Sequence, residues 1–491
     1  MIVYYSRAGV VANIALVTNI FFLFGVLASI GAVLTLPGMA GIVLTLGMAV
    51  DANVIIYERI KEEVRAGKGM QLAIVDGYKN AYSAIVDGNV TTLLTGIVLY
   101  IFGSGPVQGF ATTLIIGILS SLFTAIFITR MTFTWMQKKN MPITFASKAT
   151  ANVLSKANFN FIGSRKKAYF ISLALIVISI GSLATHGLNY GIDFTGGRTY
   201  LVRFDQNVNT VDVRKSLTES FDNVAPEVKT FGSSNQIKVT TKYLIDDEGT
   251  EVDSIIQSKL FAGLKTYYST EIKYSDFSSD TEGDNKLLGI LSSQKVGPTI
   301  ADDIRNKALF AISFALILIF AYIAVRFRKL QYGLAGVAAL FHDTLITLGM
   351  FSLFYSIMPF SMEVDQAFIA AILTIIGYSI NDTVIIFDRI RENNFLFPKH
   401  KLIDNINTGL NSTLARTINT SGTTIVVLLM IFVFGGEVIR GFVFALLVGI
   451  LIGTYSSLFT ASPIVYDLLG GSKSDALKDK KESEAKSKRK K

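Results

Sequence analysis

Apolar residues in this chain fall into long blocks, without the alternation of a half-buried strand. Ten blocks approach or exceed the roughly 20 residues that a helix needs to cross a bilayer. They are 10–31, 38–57, 88–103, 107–130, 168–187, 306–326, 332–356, 366–388, 412–435 and 440–466. Residues 188–303 interrupt the series with a polar insert long enough to be a domain. Within it, RTYLVRFD (198–205) reads as a strand and TVDVRKSLTESF (210–221) has helical spacing. Residues 226–232 and NQIKVTTKY (235–243) read as strands, 250–265 as a helix, and KLLGILSSQKV (286–296) as a final strand. The order βαββαβ is ferredoxin-like, a fold that assigns no function by itself.

Composition agrees with the pattern. Of 491 residues, 51% are hydrophobic and only 17% charged, where a soluble chain carries about 25% charge. A soluble multidomain enzyme and a disordered chain are both excluded. Cysteine is absent, which removes disulfides, thiol catalysis and Cys-ligated metals. His186, His342 and His400 are far apart, so no metal site is expected, and the insert carries no Ser–His–Asp set. No GxxxxGK[ST] motif occurs, so the chain is not expected to hydrolyse ATP, and no cofactor is called for.

The net charge of +9 has a location. Arg59, Lys61, Arg65, Lys68 and Lys79 cluster in 58–80, and Lys138, Lys139, Lys148, Lys156, Arg165, Lys166 and Lys167 in 131–167. Arg326, Arg328 and Lys329 follow, and the tail 471–491 has nine basic against four acidic residues. Segments 31–37, 103–108 and 357–366 have no Lys or Arg, and the insert has 12 basic and 18 acidic residues. Ten alternating spans put every basic loop on one side, the cytoplasmic one by the positive-inside rule, and the insert on the other. The charge therefore belongs to membrane orientation and does not indicate nucleic-acid binding. The opening MIVYYSRAG is no signal peptide and reads as the tail of a preceding helix, which predicts a fragment.

The chain repeats itself. GMAVDANVIIYERI (47–60) aligns without a gap on GYSINDTVIIFDRI (377–390), with Gly47, Val54, Ile55, Ile56, Arg59 and Ile60 identical. SSLFT occurs at 120–124 and 456–460, Gly103 and Gly109-Phe110 match Gly435 and Gly441-Phe442, and Leu16 and Asn19 match Leu340 and Asp343. Matching segments run in the same direction, so the repeat is parallel. The same order over several helices argues against chance similarity of apolar segments.

Few charges lie inside the blocks. Asp51 sits about two turns inside its helix, Asp382 lies at nearly the same depth in the repeat, displaced by one residue from Asn381, and Arg416 lies near the start of the next helix. Each such charge costs at least ~2.5–3.5 kcal/mol in hydrocarbon, so the three are expected to meet between the bundles. Two carboxylates for one arginine leave an excess negative site able to take and release a proton; a structural ion pair is the alternative. Asp87, with Asn89 nearby, falls close to the repeat equivalent of Arg416, and His342-Asp343 is a polar pair near a helix middle that reads mainly as packing. Gly196-Gly197 reads as a tight turn and not as a phosphate loop.

TLPGMAGIVLTLGMAVDANVIIYERIKEE (35–63) resembles the fourth helix of SecD. YGIDFTGGRTYLVRF (190–204), ALFHDTLITLG (339–349), IIGYSINDTVIIFDRIREN (375–393) and LARTINTSGTT (414–424) resemble SecF. The chain over 1–466 thus resembles a fused SecD–SecF protein of the resistance–nodulation–division superfamily, without the first helix, large outer domain and second helix with which SecD begins. The resemblance implies a mainly α polytopic membrane protein of two parallel-repeat bundles with one extracytoplasmic α+β ferredoxin-like domain. Its expected parts are a SecD-like bundle (1–130), a basic linker (131–167), a first SecF-like helix (168–187), the domain (188–303), a SecF-like bundle (304–466) and a basic tail (467–491). It implies an accessory subunit of the Sec translocase in the bacterial plasma membrane, driven by the proton-motive force. The matching Asp51, Asp382 and Arg416 would be its proton-transport residues; its partners would be the translocon channel, the motor ATPase, unfolded preproteins and the lipid bilayer. Competing readings are a proton-driven small-molecule or lipid exporter of the same superfamily, an intramembrane aspartyl protease and a passive scaffold. The protease lacks its GxGD motif here, and an arginine between the carboxylates opposes a shared-proton dyad.

Overall fold

The computed structural model describes the chain except residues 148–149, 151–156, 246, 248, 250, 279–287, 473–474 and 476–491. Most of the expected basic tail, Lys148 and Lys156 of the linker, residue 250 of the expected helix and residues 286–287 of the expected last strand lie outside the described residues.

Among the described residues, ten helices are long and apolar enough to cross a membrane: α1 (Arg7–Ser29), α2 (Leu36–Arg65), α3 (Met70–Phe102), α4 (Pro106–Lys138), α5 (Arg165–Thr185), α8 (Pro298–Phe327), α9 (Leu330–Phe354), α10 (Gln366–Leu396), α11 (Leu402–Phe434) and α12 (Glu437–Leu468). Helices α6 (Thr210–Ser220) and α7 (Val252–Leu264) belong to the polar insert. Several helices outrun the apolar blocks. The stretch 58–80, expected as a basic loop, is mostly helix, because α2 runs to Arg65 and α3 begins at Met70. Lys, Glu, Arg and Ala propagate a helix well, and the turn comes only at Gly67, whose φ of 91° suits glycine. In the same way α4 runs to Lys138 and α5 begins at Arg165, so the expected linker 131–167 is shorter. Helices α4 and α12 each contain one wide π turn, Thr124–Ile128 and Ser457–Ala461, beside or within the SSLFT repeat.

Burial separates central helices from peripheral ones. The most apolar stretch of α10 is 89% buried and that of α2 78%, against 22% for α5 and α8. Phe170 and Val177 of α5 and Phe310 and Ile317 of α8 point outward, as lipid-facing residues do. The two bundles pack crosswise, α2 on α11 and α10 on α3. Both contacts are built on repeat-related glycines. A Cβ on Gly47 would stand 3.2 Å from Thr424, and one on Gly377 would stand 2.3 Å from the Thr95 hydroxyl. Thr92 Oγ1 also donates to the Gly377 carbonyl at 2.9 Å. Such small-residue contacts let membrane helices approach closely where no hydrophobic drive exists.

The insert folds as expected. Strands β1 (Gly197–Arg203), β2 (Glu227–Thr230), β3 (Gln236–Thr241) and β4 (Gly289–Val296) form an antiparallel sheet in the order β2-β3-β1-β4. Helices α6 (Thr210–Ser220) and α7 (Val252–Leu264) supply the two crossovers. Tyr200, Val202, Ile237 and Val239 from the strands meet Leu217, Ile256 and Leu260 from the helices in one apolar core. Gly196 and Gly197, at φ 80° and 141°, make the tight turn into β1.

The domain is fastened to the membrane helices at the edge strand β2. Lys229 Nζ pairs with Glu363 Oε2 at 2.7 Å, and the Thr230 N–H donates to Glu437 Oε2 at 2.8 Å, at the start of α12. Val364 exchanges backbone bonds with Asn189 and Gly191. Asp365 caps α10 by accepting from the Phe368 N–H at 2.8 Å. Burial, with Asp193 and Glu363 nearby, pushes the Asp365 carboxyl up to about 6 against the pull of Lys229. Burial and Glu363 likewise raise Glu227. A carboxyl whose folded value exceeds its unfolded 3.8 keeps its proton longer in the folded state. Stability should therefore decline as pH rises from about 4 to about 6. Asp365→Asn keeps the cap and removes one titrating group. Melting of the purified chain across this range should show a shallower decline in the variant, with little change below pH 4.

Candidate functional site

The two most buried helices carry Asp51 and Asp382. Asp51 on α2 is 7% exposed and Asp382 on α10 3%, with Arg416 on α11 at 4%. Their meeting follows from the crosswise packing, since α11 of the second bundle lies on α2 of the first while remaining beside α10.

The two carboxylates are held unequally. Arg416 Nη2 donates to both oxygens of Asp51, at 2.8 and 3.0 Å. Asn381 Nδ2 donates a third bond to Asp51 Oδ2 at 2.6 Å. Asp382 Oδ1 lies 3.1 Å from Arg416 Nη1, an ion pair outside hydrogen-bond geometry, and its Oδ2 accepts only a long 3.4 Å bond from Ser421 Oγ. Ser421 in turn receives the Thr454 hydroxyl at 2.8 Å. Arg416 Nε and Nη1 have no hydrogen-bond partner among the described residues. The set is one cation between two anions, with Asp51 saturated and Asp382 undersupplied. One added proton makes it neutral. A dyad of carboxylates facing each other over a shared proton is not what this geometry offers, since the guanidinium stands between them.

Asn381 belongs to the site, and it is the residue that takes the place of Asp51 in the repeat. Its Oδ1 lies against Gly88, where a Cβ would come within 1.8 Å. Ser421 carried no sequence signal, because a hydroxyl on a helix ordinarily bonds its own backbone. The other polar candidates lie elsewhere. Asp87 accepts from Arg326 Nε at 2.7 Å and from Tyr322 at 2.9 Å, linking α3 to α8. Asn89 donates to the Ile85 carbonyl of its own helix. His342 and Asp343 are buried in the second bundle. Asp343 Oδ2 accepts from Ser379 at 2.6 Å and Ser456 at 2.7 Å, and Oδ1 lies 2.9 Å from His342 Nδ1. The Ser456–Asp343 bond repeats the one between Ser120 and Asn19 in the first bundle at 2.5 Å. Among the described residues no group of acidic or histidine side chains is arranged to hold a metal.

Comparison with known proteins places this architecture. Residues 1–139 and 278–470 match the family described as protein export membrane protein SecD/SecF, C-terminal, and residues 181–208 match the SecD/SecF GG motif. The protein translocase subunit SecDF of Bacillus subtilis is 35% identical over 94% of this chain, which covers 61% of that relative. Subunit SecF of Rhodothermus marinus is 42% identical over 64% of this chain and 95% of its own length. The crystal structure of SecDF, a translocon-associated membrane protein from Thermus thermophilus, superposes with a TM-score of 0.79 at 34% identity, over 96% of this chain and 60% of that one. The chain thus spans about three fifths of the SecDF proteins it matches.

Removing Arg416 would leave two buried carboxylates facing each other. Arg416→Gln should cost roughly 3–5 kcal/mol, the range for stripping one partner from a buried pair. Adding Asp51→Asn to that variant should recover most of the loss. Unfolding of the detergent-purified chain measures both, and equal losses in the single and double variants would mean that the charges do not act as a unit.

Proposed function

Because the chain belongs to the SecD/SecF protein-export family, we propose that it is an accessory part of the Sec translocase that uses the proton-motive force to promote export of unfolded preproteins. The reading rests on one observation: two carboxylates from repeat-related helices share one arginine inside the membrane-spanning region. The partners are the translocon channel, its motor ATPase, the preprotein and the surrounding lipid. The basic ends of the helices face the cytoplasm of a bacterial plasma membrane and the α+β domain faces outward, in keeping with the distribution of Lys and Arg.

In this mechanism Asp51 stays bound to Arg416 and Asn381 and acts as the fixed anchor. Asp382, held only by the off-axis ion pair with Arg416 and the long bond from Ser421, exchanges the proton. Protonation of Asp382 cancels the net negative charge of the set and frees one side of Arg416, so α10 is no longer tied to α11 by charge. Helix α10 leads directly to Asp365 and Glu363 beneath the domain, which gives the event a route outward. The energy comes from the gradient: one charge crossing 100 mV yields about 2.3 kcal/mol. Asp51, Asp382 and Arg416 carry the proton chemistry. Asn381 positions Asp51, while Asp87, His342 and Asp343 hold helices together.

Asp382→Asn keeps size and hydrogen bonding but cannot titrate. It should abolish the uncoupler-sensitive part of preprotein export while leaving a normal amount of inserted protein, and Asp51→Asn should do the same. Export measured per inserted molecule, with and without an uncoupler, is the test. Normal uncoupler-sensitive export by both variants would remove the proton reading, and lowered abundance with unchanged export per molecule would make the set a structural clasp.

A further inference from the structure

A second charged set closes the basic ends of the same two helices. Arg59 of α2 binds Glu62 of its own helix at 3.0 Å and Glu392 of α10 at 2.9 Å. Arg389 of α10 binds Glu392 of its own helix at 2.9 Å and Glu62 of α2 at 2.6 Å. The four side chains form a closed ring, and the internal repeat generates it: Arg59 and Arg389 are repeat partners, and Glu62 and Glu392 stand at the same separation. The ring is electrically neutral and half-buried, the arginines at 17% exposure and the glutamates at 34% and 36%. It lies eight residues beyond Asp51 and seven beyond Asp382, roughly 10–12 Å along the helices toward the basic end.

The spaces on either side give the ring a meaning. Above it is a cavity of about 40 Å³, lined by Arg416, Thr413 and Ile55 and floored by Arg59, Glu62 and Arg389. Below it is a vestibule of about 760 Å³, lined by Glu62, Arg389 and Ser412 and by the linker around Asn160. Glu58, Glu62, Arg389 and Ser412 line both, and the Glu62–Arg389 link of the ring lies in this common wall. Arg389 Nε is further steadied by Ser412 Oγ at 3.0 Å.

We propose that Arg59, Glu62, Arg389 and Glu392 form a gate on the basic-end half of the proton path, which separates the arginine–carboxylate site from the vestibule when closed. This deepens the proton-coupled reading and rests on it. A ring of half-exposed ion pairs suits the task, because each link is weak and is remade readily. Two of its four links join α2 to α10, the helices that Arg416 also ties together through Asp51 and Asp382. Loosening of that inner tie by a proton on Asp382 lowers the hold on the outer one. When the two cross-links part, water of the vestibule reaches the small cavity, and the proton leaves Asp382 through it.

The absence of cysteine makes the test direct. Thr413→Cys places one thiol in the cavity above the ring. Membrane vesicles holding the full chain with its basic end outward are treated with a membrane-impermeant thiosulfonate reagent. With the ring intact, labelling should be slow. Glu62→Gln with Glu392→Gln should quicken it by about three- to tenfold, the effect of losing two half-exposed cross-links. Reversing all four charges together should restore slow labelling, which a merely misfolded protein would not do. Labelling at the intact rate in the Gln variant, or no recovery in the reversed ring, overturns the gate and leaves a static clasp. Proton uptake by the same vesicles, with and without Asp51→Asn, is read alongside. If labelling quickens as expected but proton uptake ignores Asp51→Asn, the proton reading falls while the ring remains a water gate. If uptake depends on Asp51 and labelling never changes, the gate falls and the proton reading stands.

Discussion

A guanidinium inside the membrane-spanning region is the constraint around which the two bundles are arranged. Arg416 cannot be left unpaired in hydrocarbon, and its partners lie on two other helices, one in each bundle. Satisfying it requires α2, α10 and α11 to meet. That in turn requires α2 and α10 to be the central helices and the bundles to pack crosswise. Close approach then depends on Gly47 and Gly377, where a Cβ would crowd Thr424 and clash with Thr95 of the opposite bundle, respectively. The two most buried membrane helices therefore carry Asp51 and Asp382 of the most polar site.

The repeat supplies symmetry and then breaks it. Ser120–Asn19 and Ser456–Asp343 are equivalent bonds, and the outer Arg–Glu ring is nearly symmetric. At the inner site the equivalence fails: Asp51 faces Asn381, and the second carboxylate moves one residue on to Asp382. An amide opposite an aspartate gives one well-bonded carboxylate and one poorly bonded one. Two aspartates at equivalent positions would lack this inequality of bonding.

Much of this was legible in the sequence. The ten helices follow from the long apolar blocks and the ferredoxin-like sheet from the strand and helix patterns of the insert, and Asp51, Asp382 and Arg416 stand out as charges in apolar blocks. Helix ends were less legible, because the charged extensions of α2 and α3 are good helix formers and resemble a loop only in polarity. That same misreading hid the ring: Arg59 and Glu62 looked like loop charges, although their spacing places them on one helix face. Ser421 and the Ser379–Asp343–Ser456 cluster depend on partners distant in the chain, which no local pattern reveals. Asp87 had the right depth but faces α8, and depth alone does not fix a helix face.

Helix α10 crosses α3 closely at Gly377, and this crossing has a mechanical consequence. A contact without side-chain bulk is a natural pivot. Asp382 lies five residues from it, Glu392 fifteen and Asp365 twelve on the opposite side, or roughly 7, 22 and 18 Å at 1.5 Å per residue. A stiff rod turning there magnifies a displacement at Asp382 about threefold at Glu392, and more than twofold, in the reverse sense, at Asp365. A movement of about 0.5 Å at the carboxylate thus becomes about 1.5 Å at Glu392 and about 1.2 Å at Asp365. One end retracts as the other advances, so a single lever serves both membrane faces in antiphase.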